Sequence, residues 1–524
     1  MSAGLSLDIR ALDRARDSRD PRFDGKFFIA VTSTHIYCRP ICTVRNAKRA
    51  NIRYYFSAAA AAEAGYRPCL RCRPEAAPGT AAWLGTSAVV RRALRLIDAG
   101  ILDDGSVDQL AGKLGVGARH LDRLFVQHVG ASPIALAQTR RLHFAKRLLD
   151  ETNLPIGDIA LAAGFGSLRR FNSAFRRTYK CAPRDLRRRR RGDPVAHPAG
   201  TVILKLAFRP PYEFARVLAF LRARAIPGVE EVDEASYSRT VRTGNGEAIV
   251  SVGLVEGELA LELRVTGADP TDLYELSSAA RRVFDTSADP AQMVQAFGSD
   301  PVLGPLVTRF PGLRIPGAWD PFECAVRAIM GQQVSVAGAR TLATRLVERL
   351  GARLKGPAGG LTTLFPSPRA IVEGDLQGLG LTRGRMAALR SLAQSVVARK
   401  LEFAGPTDET VAALNRISGV GDWTSQYIAL RALGDPDAFP TSDLVLRRMA
   451  GGETALSEGE LQSRAEAWRP WRAYAATYLW DAAARSNGSP SKDEAAVKAV
   501  RARSTEAAGS SGGSGPVRTS CSRA

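Results

Sequence analysis

The sequence contains little of what marks a membrane-spanning or secreted protein. It has no apolar run long enough to cross a bilayer and no hydrophobic segment of the signal-peptide type near its first residues. Its seven cysteines are few for 524 residues, which argues against a framework of disulfides. These absences exclude the membrane-spanning and disulfide-rich secreted classes, and we expect a cytoplasmic protein with no membrane partner.

Negative charge is also scarce. The chain has 73 lysines and arginines but only 52 acidic residues, for a formal net charge of +21. Such a balance favours a polyanionic partner, and without a membrane segment nucleic acid is the better candidate. The length is far too great for one hydrophobic core and predicts about three or four domains.

Changes in composition divide the chain and predict a multidomain protein, mainly α with α+β parts. The six predicted segments are a cysteine-containing domain (1–80), a helical domain rich in Leu, Ala and Arg (84–188), a linker (189–199), a strand-rich α+β domain (200–316), an all-helical domain (317–486) and a disordered tail (487–524). The basic run "RDLRRRRRGDP" before residue 195 either follows DNA phosphates or is a solvated linker.

The second segment contains an internal repeat. Residues 107–125 and 156–175 share an apolar-Ala helix, a glycine turn and a second helix that ends in Phe, which is the plan of a helix-turn-helix. Ordinary helical hairpins are the alternative, but two copies in a basic context favour DNA binding, and the pattern resembles the DNA-binding domain of AraC-type regulators. The side chains expected to touch DNA are Arg119, His120 and Arg123 in the first copy and Arg169, Arg170 and Asn172 in the second.

Four cysteines form a metal-binding pattern. Cys38 and Cys42, then Cys69 and Cys72, give C-x3-C followed by C-x2-C, the spacing of one tetrahedral zinc ion held by thiolates. A purely structural zinc is the alternative to a reactive one. The surrounding "HIYCRPICTVRNAKRANIRYYFSAAAAAEAGYRPCLRCRPE" resembles the metal-binding domain of Ada, the bacterial alkylation-response regulator.

That resemblance implies chemistry at one sulfur. In the Ada family the cysteine matching Cys38 accepts a methyl group from a DNA methylphosphotriester, and the loss of negative charge tightens binding to DNA. Nothing resembles the Pro-Cys-His-Arg site of an O6-alkylguanine methyltransferase, because Cys181, Cys324 and Cys521 lie in other contexts. That further activity is therefore not predicted.

The carboxyl-terminal half contains a second set of motifs. "LNRISGVGDWTSQYIALRAL" places Gly419 and Gly421 between two helical patterns, where the backbone can approach a DNA phosphate. About twenty residues later, Asp443 follows a proline and begins another helix. Together with "AIMGQQVSVAGARTLATRL" and "AWRPWRAYAATYLW", these features resemble the helix-hairpin-helix DNA glycosylases of the AlkA type, and the preceding strands resemble their accessory α+β domain.

The AlkA resemblance implies the roles of several residues. Asp443 would stabilise the cationic sugar and activate water, although a simple helix cap is the alternative role for this residue. Trp423, Tyr427 and Trp480 would hold a flipped base, and the tryptophan at 423, where strand-cutting relatives carry lysine, implies a monofunctional enzyme. Gln333 stands where AlkA inserts a leucine wedge. A sodium or potassium ion at the hairpin carbonyls is a further expectation.

These features predict one function for the whole chain. We expect a bacterial, nucleoid-associated monomer that takes methyl groups from DNA, activates transcription with RNA polymerase, and excises 3-methyladenine and related bases. Its partners would be alkylated and promoter double-stranded DNA. Two alternatives remain, a regulator whose glycosylase half only grips DNA and an AraC-type small-molecule sensor, and the second lacks an obvious sugar-binding domain.

Overall fold

A computed structural model of the chain describes residues 8–79, 88–98, 100–103, 105–189, 200–452 and 454–486. Most of the predicted linker (190–199) and the whole predicted tail lie outside these ranges. The predicted fold class is confirmed, because a small mixed domain and a helical domain precede an antiparallel sheet and a second helical region. The exact domain boundaries stay a prediction.

The amino-terminal region is a four-stranded sheet with two helices. Its elements are α1 (Ile9–Asp17), β1 (Phe28–Val31), β2 (Ile36–Cys38), β3 (Ile52–Tyr55), α2 (Ala58–Glu63) and β4 (Arg67–Pro68). The strand order is β3-β1-β2-β4, and β2 and β4 are parallel, with Tyr37 opposite Pro68. This pairing brings the residues that follow each strand to the same edge of the sheet.

The second region is entirely helical where it is described. Its helices are α3 (Ala88–Asp98), α4 (Val107–Leu114), α5 (Ala118–Val129), α6 (Pro133–Glu151), α7 (Ile156–Ala162), α8 (Leu168–Tyr179) and α9 (Pro183–Arg189). The predicted repeat is confirmed by the pairs α4–α5 and α7–α8. Gly115 and Gly164 both adopt left-handed conformations at the turns, with φ of 69° and 75°, and Phe125 and Phe175 are both fully buried.

The third region is an antiparallel sheet followed by helices. Its elements are β5 (Thr201–Ala207), α10 (Phe214–Arg222), β6 (Glu230–Val232), β7 (Ser236–Arg242), β8 (Glu247–Leu254), β9 (Ala260–Thr266), α11 (Leu273–Val283), α12 (Pro290–Phe297) and α13 (Leu303–Arg309). The strand order is β5-β9-β8-β7-β6. One continuous apolar core joins this sheet to α6, α7 and α8 of the preceding region.

The fourth region contains the remaining helices and one hairpin. Its elements are α14 (Pro321–Met330), α15 (Val336–Leu350), β10 (Ala352–Ala358), β11 (Leu361–Leu364), α16 (Pro368–Glu373), α17 (Arg383–Val397), α18 (Thr407–Asn415), α19 (Asp422–Arg431), α20 (Leu444–Gly451), α21 (Glu458–Ala465) and α22 (Arg472–Ser486). The prediction of an uninterrupted helical region is wrong at β10 and β11. Glycine and proline are poor helix formers, and Gly359 turns the hairpin with a φ of 59°.

Buried polar contacts attach the amino-terminal domain to the rest of the chain. Lys26 forms a buried ion pair with Asp289, their nitrogen and oxygen 2.5 Å apart. Arg209, which follows β5 and is fully buried, donates to the backbone oxygens of Asp24 at 2.9 Å and Ser287 at 2.8 Å. A buried charge is stable only when such partners surround it. The amino-terminal domain is therefore held against the accessory sheet region.

Candidate functional site

The four predicted metal ligands meet at one edge of the amino-terminal sheet. Cys38 ends β2, Cys69 follows β4, and a hydrogen bond of 2.9 Å from the Cys69 N–H to the Tyr37 oxygen keeps the two in line. A tight turn returns Cys42 toward Cys38, and the N–H of Arg73 bonds the Cys69 oxygen in the turn that carries Cys72. All four sulfurs lie within 4.8 Å of one another. This compact all-thiol set fits Zn²⁺, which tetrahedral cysteine sites bind at about 2.3 Å.

The four sulfurs differ in exposure and in hydrogen bonding. Cys42 and Cys69 are buried, whereas Cys38 and Cys72 are partly exposed. The backbone N–H of Arg39 donates to the sulfur of Cys72 at 3.3 Å. Within the described part of the chain, no N–H group donates to the sulfur of Cys38. Cys38 is therefore the partly exposed sulfur whose electron pairs are least engaged.

Arg39 and Asp24 form a polar contact beside the cluster that the sequence did not predict. The Nε of Arg39 donates to an Asp24 carboxylate oxygen at 2.9 Å, and its Nη1 donates to the Cys72 oxygen at 3.1 Å. Burial opposes ionisation of Arg39, yet the hydrogen bonds and charge of Asp24 raise the pKa of its guanidinium. Asp24 lies far from the cysteines in sequence, so no local pattern could have identified it.

The helix-turn-helix units present their predicted DNA-contacting residues on the surface. On α5, Arg119, His120 and Arg123 are exposed, and Arg123 Nη2 lies 2.9 Å from His120 Nδ1. On α8, Arg169 and Arg170 are exposed and Asn172 is half-buried. The buried faces of both helices carry apolar residues of the repeat, so their polar faces are free to meet DNA.

Asp443 is the centre of the second candidate site. It caps α20, where its Oδ1 accepts the backbone N–H of Leu446 at 2.9 Å. Two indole groups also donate to this carboxylate, Trp423 Nε1 to Oδ2 at 2.8 Å and Trp480 Nε1 to Oδ1 at 3.3 Å. The alternative role of Asp443 as a helix cap is therefore correct in part, because its carboxylate caps α20 and also accepts hydrogen bonds from two side chains.

Three predicted aromatic residues surround this carboxylate. Trp423 and Tyr427 lie one turn apart on α19 and stack with ring centroids 5.3 Å apart at 11°. Trp480 of α22 meets Tyr427 edge to face at 6.1 Å. Arg431, not singled out from the sequence, donates to the Tyr427 hydroxyl at 2.7 Å. These half-buried rings form an aromatic wall beside Asp443 that is suited to a flat base.

The loop between α14 and α15 carries the predicted wedge residue. Gln333 is exposed and left-handed, with a φ of 53°. Its neighbour Gln332, which sequence analysis overlooked, donates to the Gly419 oxygen and the Thr424 hydroxyl, both at 2.9 Å. The side chain of Gln332 thus ties this loop to the hairpin while Gln333 projects outward.

The two hairpin glycines have different structural roles. Gly419 has a φ of 87°, and a Cβ there would lie 3.2 Å from the Cβ of Ala388, so glycine is needed for conformation and space. Gly421 has an ordinary φ of −93° and caps α19 without a side-chain acceptor. Its surroundings are open. The first turn of α19 therefore presents backbone N–H groups at an uncovered surface.

None of the described helices combines the length and apolar character that crossing a membrane requires.

Four family models match successive parts of the chain. They are the metal binding domain of Ada (11–75), a helix-turn-helix domain (110–189), the AlkA N-terminal domain (203–320) and the HhH-GPD superfamily base excision DNA repair protein (326–473).

Curated relatives match the same arrangement. A probable bifunctional transcriptional activator/DNA repair enzyme AlkA of Mycobacterium tuberculosis is 42% identical over 479 residues, covering 90% of this chain and 96% of the relative. DNA-3-methyladenine glycosylase 2 of Escherichia coli is 32% identical and covers 52% of this chain and 95% of its own. The bifunctional transcriptional activator/DNA repair enzyme Ada of Escherichia coli is 38% identical over 25% of this chain and 35% of its own. The chain therefore belongs to the family of bifunctional proteins that join an Ada-type transcriptional activator to an AlkA-type DNA repair enzyme.

Proposed function

We propose that the carboxyl-terminal half excises alkylated bases, 3-methyladenine and related lesions, with Asp443 as its catalytic carboxylate. The observation that carries this proposal is the carboxylate bonded to two indole N–H groups beside an aromatic wall. A structural cap needs only the bond to Leu446. Two additional donors from α19 and α22 instead fix the carboxylate toward the place where a base would stack.

The chemistry demands little beyond electrostatics. A base alkylated on a ring nitrogen leaves with the electron pair of the N-glycosidic bond, and positive charge develops on the sugar. The carboxylate of Asp443 stabilises that charge and orients a water whose oxygen bonds to the sugar carbon. The products are a free base, an abasic site and a proton. Trp423, Tyr427 and Trp480 would hold the flipped cationic base by stacking and cation–π attraction.

The test is release of free 3-methyladenine from methylated duplex DNA by the wild type and by Asp443→Asn, both with zinc bound. We expect release to collapse in the variant while DNA affinity is retained. Asp375→Asn is the matched control, because Asp375 is exposed and, among the described residues, accepts a hydrogen bond only from the nearby Gln377 N–H. Equal release by wild type and Asp443→Asn would mean another catalytic residue. Absence of release from both would leave a half that only grips DNA.

The enzyme is proposed to be monofunctional. Trp423 replaces the Schiff-base lysine of strand-cutting relatives, and its N–H already bonds Asp443. No amine is then available there to open the abasic sugar. We expect product DNA to stay intact until alkali is added, and strand cleavage in neutral buffer would contradict this assignment.

We also propose that Cys38 accepts a methyl group from a DNA methylphosphotriester. Its sulfur is partly exposed and receives no N–H donor from the described residues, which supports choosing it over Cys72. Zinc held by Cys38, Cys42, Cys69 and Cys72 would keep the sulfurs as thiolates. The Cys38 thiolate bonds to the methyl carbon, the carbon–oxygen bond breaks, and the electron pair returns to phosphate, leaving a thioether and an ordinary phosphodiester.

Mass spectrometry of the protein after exposure to methylated DNA tests this transfer. We expect one added methyl, found on the peptide containing Cys38 and absent from Cys38→Ser. Cys181→Ser is the matched control, since Cys181 lies outside the zinc cluster. A methyl on Cys72, or on no cysteine, would overturn the assignment.

Regulation of promoters is the third part of the proposal. The exposed arginines of α5 and α8 support groove contacts by Arg119, His120, Arg123, Arg169, Arg170 and Asn172, with RNA polymerase as the proposed partner of a monomer. Replacing Arg169 and Arg170 by alanine should weaken promoter binding and flatten its salt dependence by about two units. Unchanged affinity and salt dependence would remove α8 from the interface.

A monovalent cation at the hairpin is also proposed. The Ile417 and Gly419 oxygens accept one N–H each, from Val420 and Gln332 at 2.9 Å, and each keeps a second lone pair. We expect affinity for abasic duplex to be higher in potassium or sodium than in choline at equal ionic strength. Equal affinity in all three salts would exclude this site.

A further inference from the structure

A cavity lies where the amino-terminal, helix-turn-helix, accessory and glycosylase regions of the chain meet. Its volume is about 650 Å³, within the range that small ligands occupy. Eight arginines and six carboxylates line it, which leaves a net charge of +2 on its wall. The arginines are Arg91, Arg92, Arg95, Arg140, Arg147, Arg281, Arg282 and Arg431. The carboxylates are Glu75, Asp98, Asp285, Asp408, Glu409 and Asp435.

Several of these cations lack a direct ion pair among the described residues. Arg140 pairs with Asp98 at 2.6 Å and Arg147 with Glu151 at 3.7 Å. Over the described ranges, Arg281 and Arg282 of α11 have neither an ion pair nor a side-chain hydrogen bond, and Arg95 of α3 donates only to a backbone oxygen, that of Leu433, at 2.8 Å. Residues 80–87, which connect Gly79 to Ala88, contain no acidic side chain that could neutralise them.

Arg281 and Arg95 are half-buried and Arg282 is exposed, so part of this positive charge is withdrawn from water while a ligand could still reach it. Burial and then the charge of Arg147 lower the pKa of Arg281 to about 9, and burial likewise lowers the pKa of Arg95. A half-buried guanidinium without a direct partner carries a desolvation penalty, which a bound anion reduces. Guanidinium groups match phosphate oxygens with paired N–H donors.

The remainder of the cavity wall suits the uncharged organic part of a ligand that carries phosphate. Phe144 and Tyr274 contribute aromatic surface, and Ser277 and Ser278 contribute hydroxyl groups. Four domains enclose the cavity, and its volume is too small to admit a DNA duplex. We propose that this cavity binds a small phosphate ester of nucleotide size, with its phosphates on Arg281, Arg282 and Arg95.

Calorimetry with the full-length zinc-bound protein tests the proposal, using ATP and inorganic pyrophosphate as probes. We expect both to bind, and the double variant Arg281→Gln/Arg282→Gln to weaken binding about tenfold or more, because charge-assisted hydrogen bonds are lost. Arg264→Gln is the matched control, since Arg264 is an exposed arginine on β9 that pairs with Glu262. Failure of both probes to bind, or equal binding by the double variant, would overturn the site.

Two further readouts separate a binding site from a structural cluster. Saturating ATP should raise the melting temperature of the wild type and leave that of the double variant unchanged. A short undamaged duplex should not displace ATP; displacement would mean that the arginines serve the DNA backbone, which contradicts the proposal. Release of 3-methyladenine should be equal in all variants, so failure here is distinguishable from failure of the glycosylase assignment.

Discussion

Cys38 and Asp443, the two groups proposed to react, are surrounded in opposite ways. The Cys38 sulfur is partly exposed and accepts no N–H from the described residues, whereas the Asp443 carboxylate is buried and accepts three. A nucleophile used once must present an unengaged electron pair to carbon. A carboxylate used in every turnover must keep one orientation. The comparison suggests that hydrogen bonding distinguishes a consumed group from a catalytic one.

Loss of zinc should separate the two sites most sharply. Cys69→Ser removes a buried ligand, and structural zinc contributes roughly 10 kcal/mol or more to small domains of this kind. We expect zinc content and methyl transfer to be abolished and hydrogen exchange across residues 8–79 to accelerate. Base release should stay within about twofold of wild type, because the donors to Asp443 come from α19, α20 and α22.

The control for this change is Cys181→Ser, which should keep zinc and both activities. A parallel fall of base release in Cys69→Ser would show that the glycosylase site depends on the zinc domain. The contrast between the two reactive groups would then describe one coupled site rather than two independent ones.

Removing the indole donors tests the other side of the comparison. Trp423→Phe and Trp480→Phe keep an aromatic ring but lose an N–H to Asp443. We expect kcat for base release to fall about 100-fold in Trp423→Phe, as when one preorganised donor is removed, and less in Trp480→Phe, whose bond is longer. Single-turnover kinetics measure the effect on the chemical step, and KM is measured separately to give the effect on substrate binding.

Trp468→Phe is a closely matched control. Trp468 also donates its indole N–H to a carboxylate, but that carboxylate is Asp300, at 2.8 Å, and the Trp468 side chain is buried in the core. It should lower thermal stability and leave kcat unchanged. If Trp423→Phe raised KM at constant kcat, the indole would hold the base without positioning the carboxylate.

The sequence predicted the members of both sites but not their hydrogen bonding. The spacing of Cys38, Cys42, Cys69 and Cys72 is local information, and so is the position of Asp443 after a hairpin. The donor to Cys72 is a backbone N–H set by the turn at Arg39, and the donors to Asp443 depend on how three helices pack. Neither feature is encoded in a short motif.

Two other features show the same limit. The hairpin of β10 and β11 was predicted to be helical, and it is stabilised by distant contacts such as the Thr240 hydroxyl to the Thr363 oxygen at 2.7 Å. The arginine cavity joins α3 and α6 of one predicted domain to α11 of another. Contacts between elements remote in sequence are the part that composition and periodicity cannot supply.

Arg209→Met should loosen the attachment of the amino-terminal domain without changing any residue of the Cys38 or Asp443 sites. Arg209 is fully buried and its guanidinium donates to four backbone oxygens, those of Asp24, Gly79, Ser287 and Ala288. Leaving these acceptors unpaired should cost about 2 to 4 kcal/mol. We expect a lower melting temperature and faster exchange in residues 8–79, with kcat for base release unchanged.

The exposed Arg264→Met is the control for Arg209→Met and should change neither quantity. If Arg209→Met left exchange in the amino-terminal domain unaffected, the contacts to Asp24 and Gly79 would not hold that domain. A fall in kcat would instead connect the junction to Asp443 and weaken the case for independent sites.

The smallest expected effect concerns the residue that would fill the space left by a flipped base. Gln333→Leu changes an exposed side chain, and both residues pay a similar cost for the left-handed backbone, so stability should change by less than about 0.5 kcal/mol. Leucine buries more apolar surface inside the duplex, and we expect kcat/KM to rise about threefold. The gain should appear with a paired lesion and vanish with a single-stranded one, because only the duplex has a gap to fill. Gln332→Leu should instead lower kcat/KM on both substrates, since it breaks the bonds to Gly419 and Thr424. Equal gains on paired and unpaired DNA would mean that Gln333 contacts the base rather than the gap.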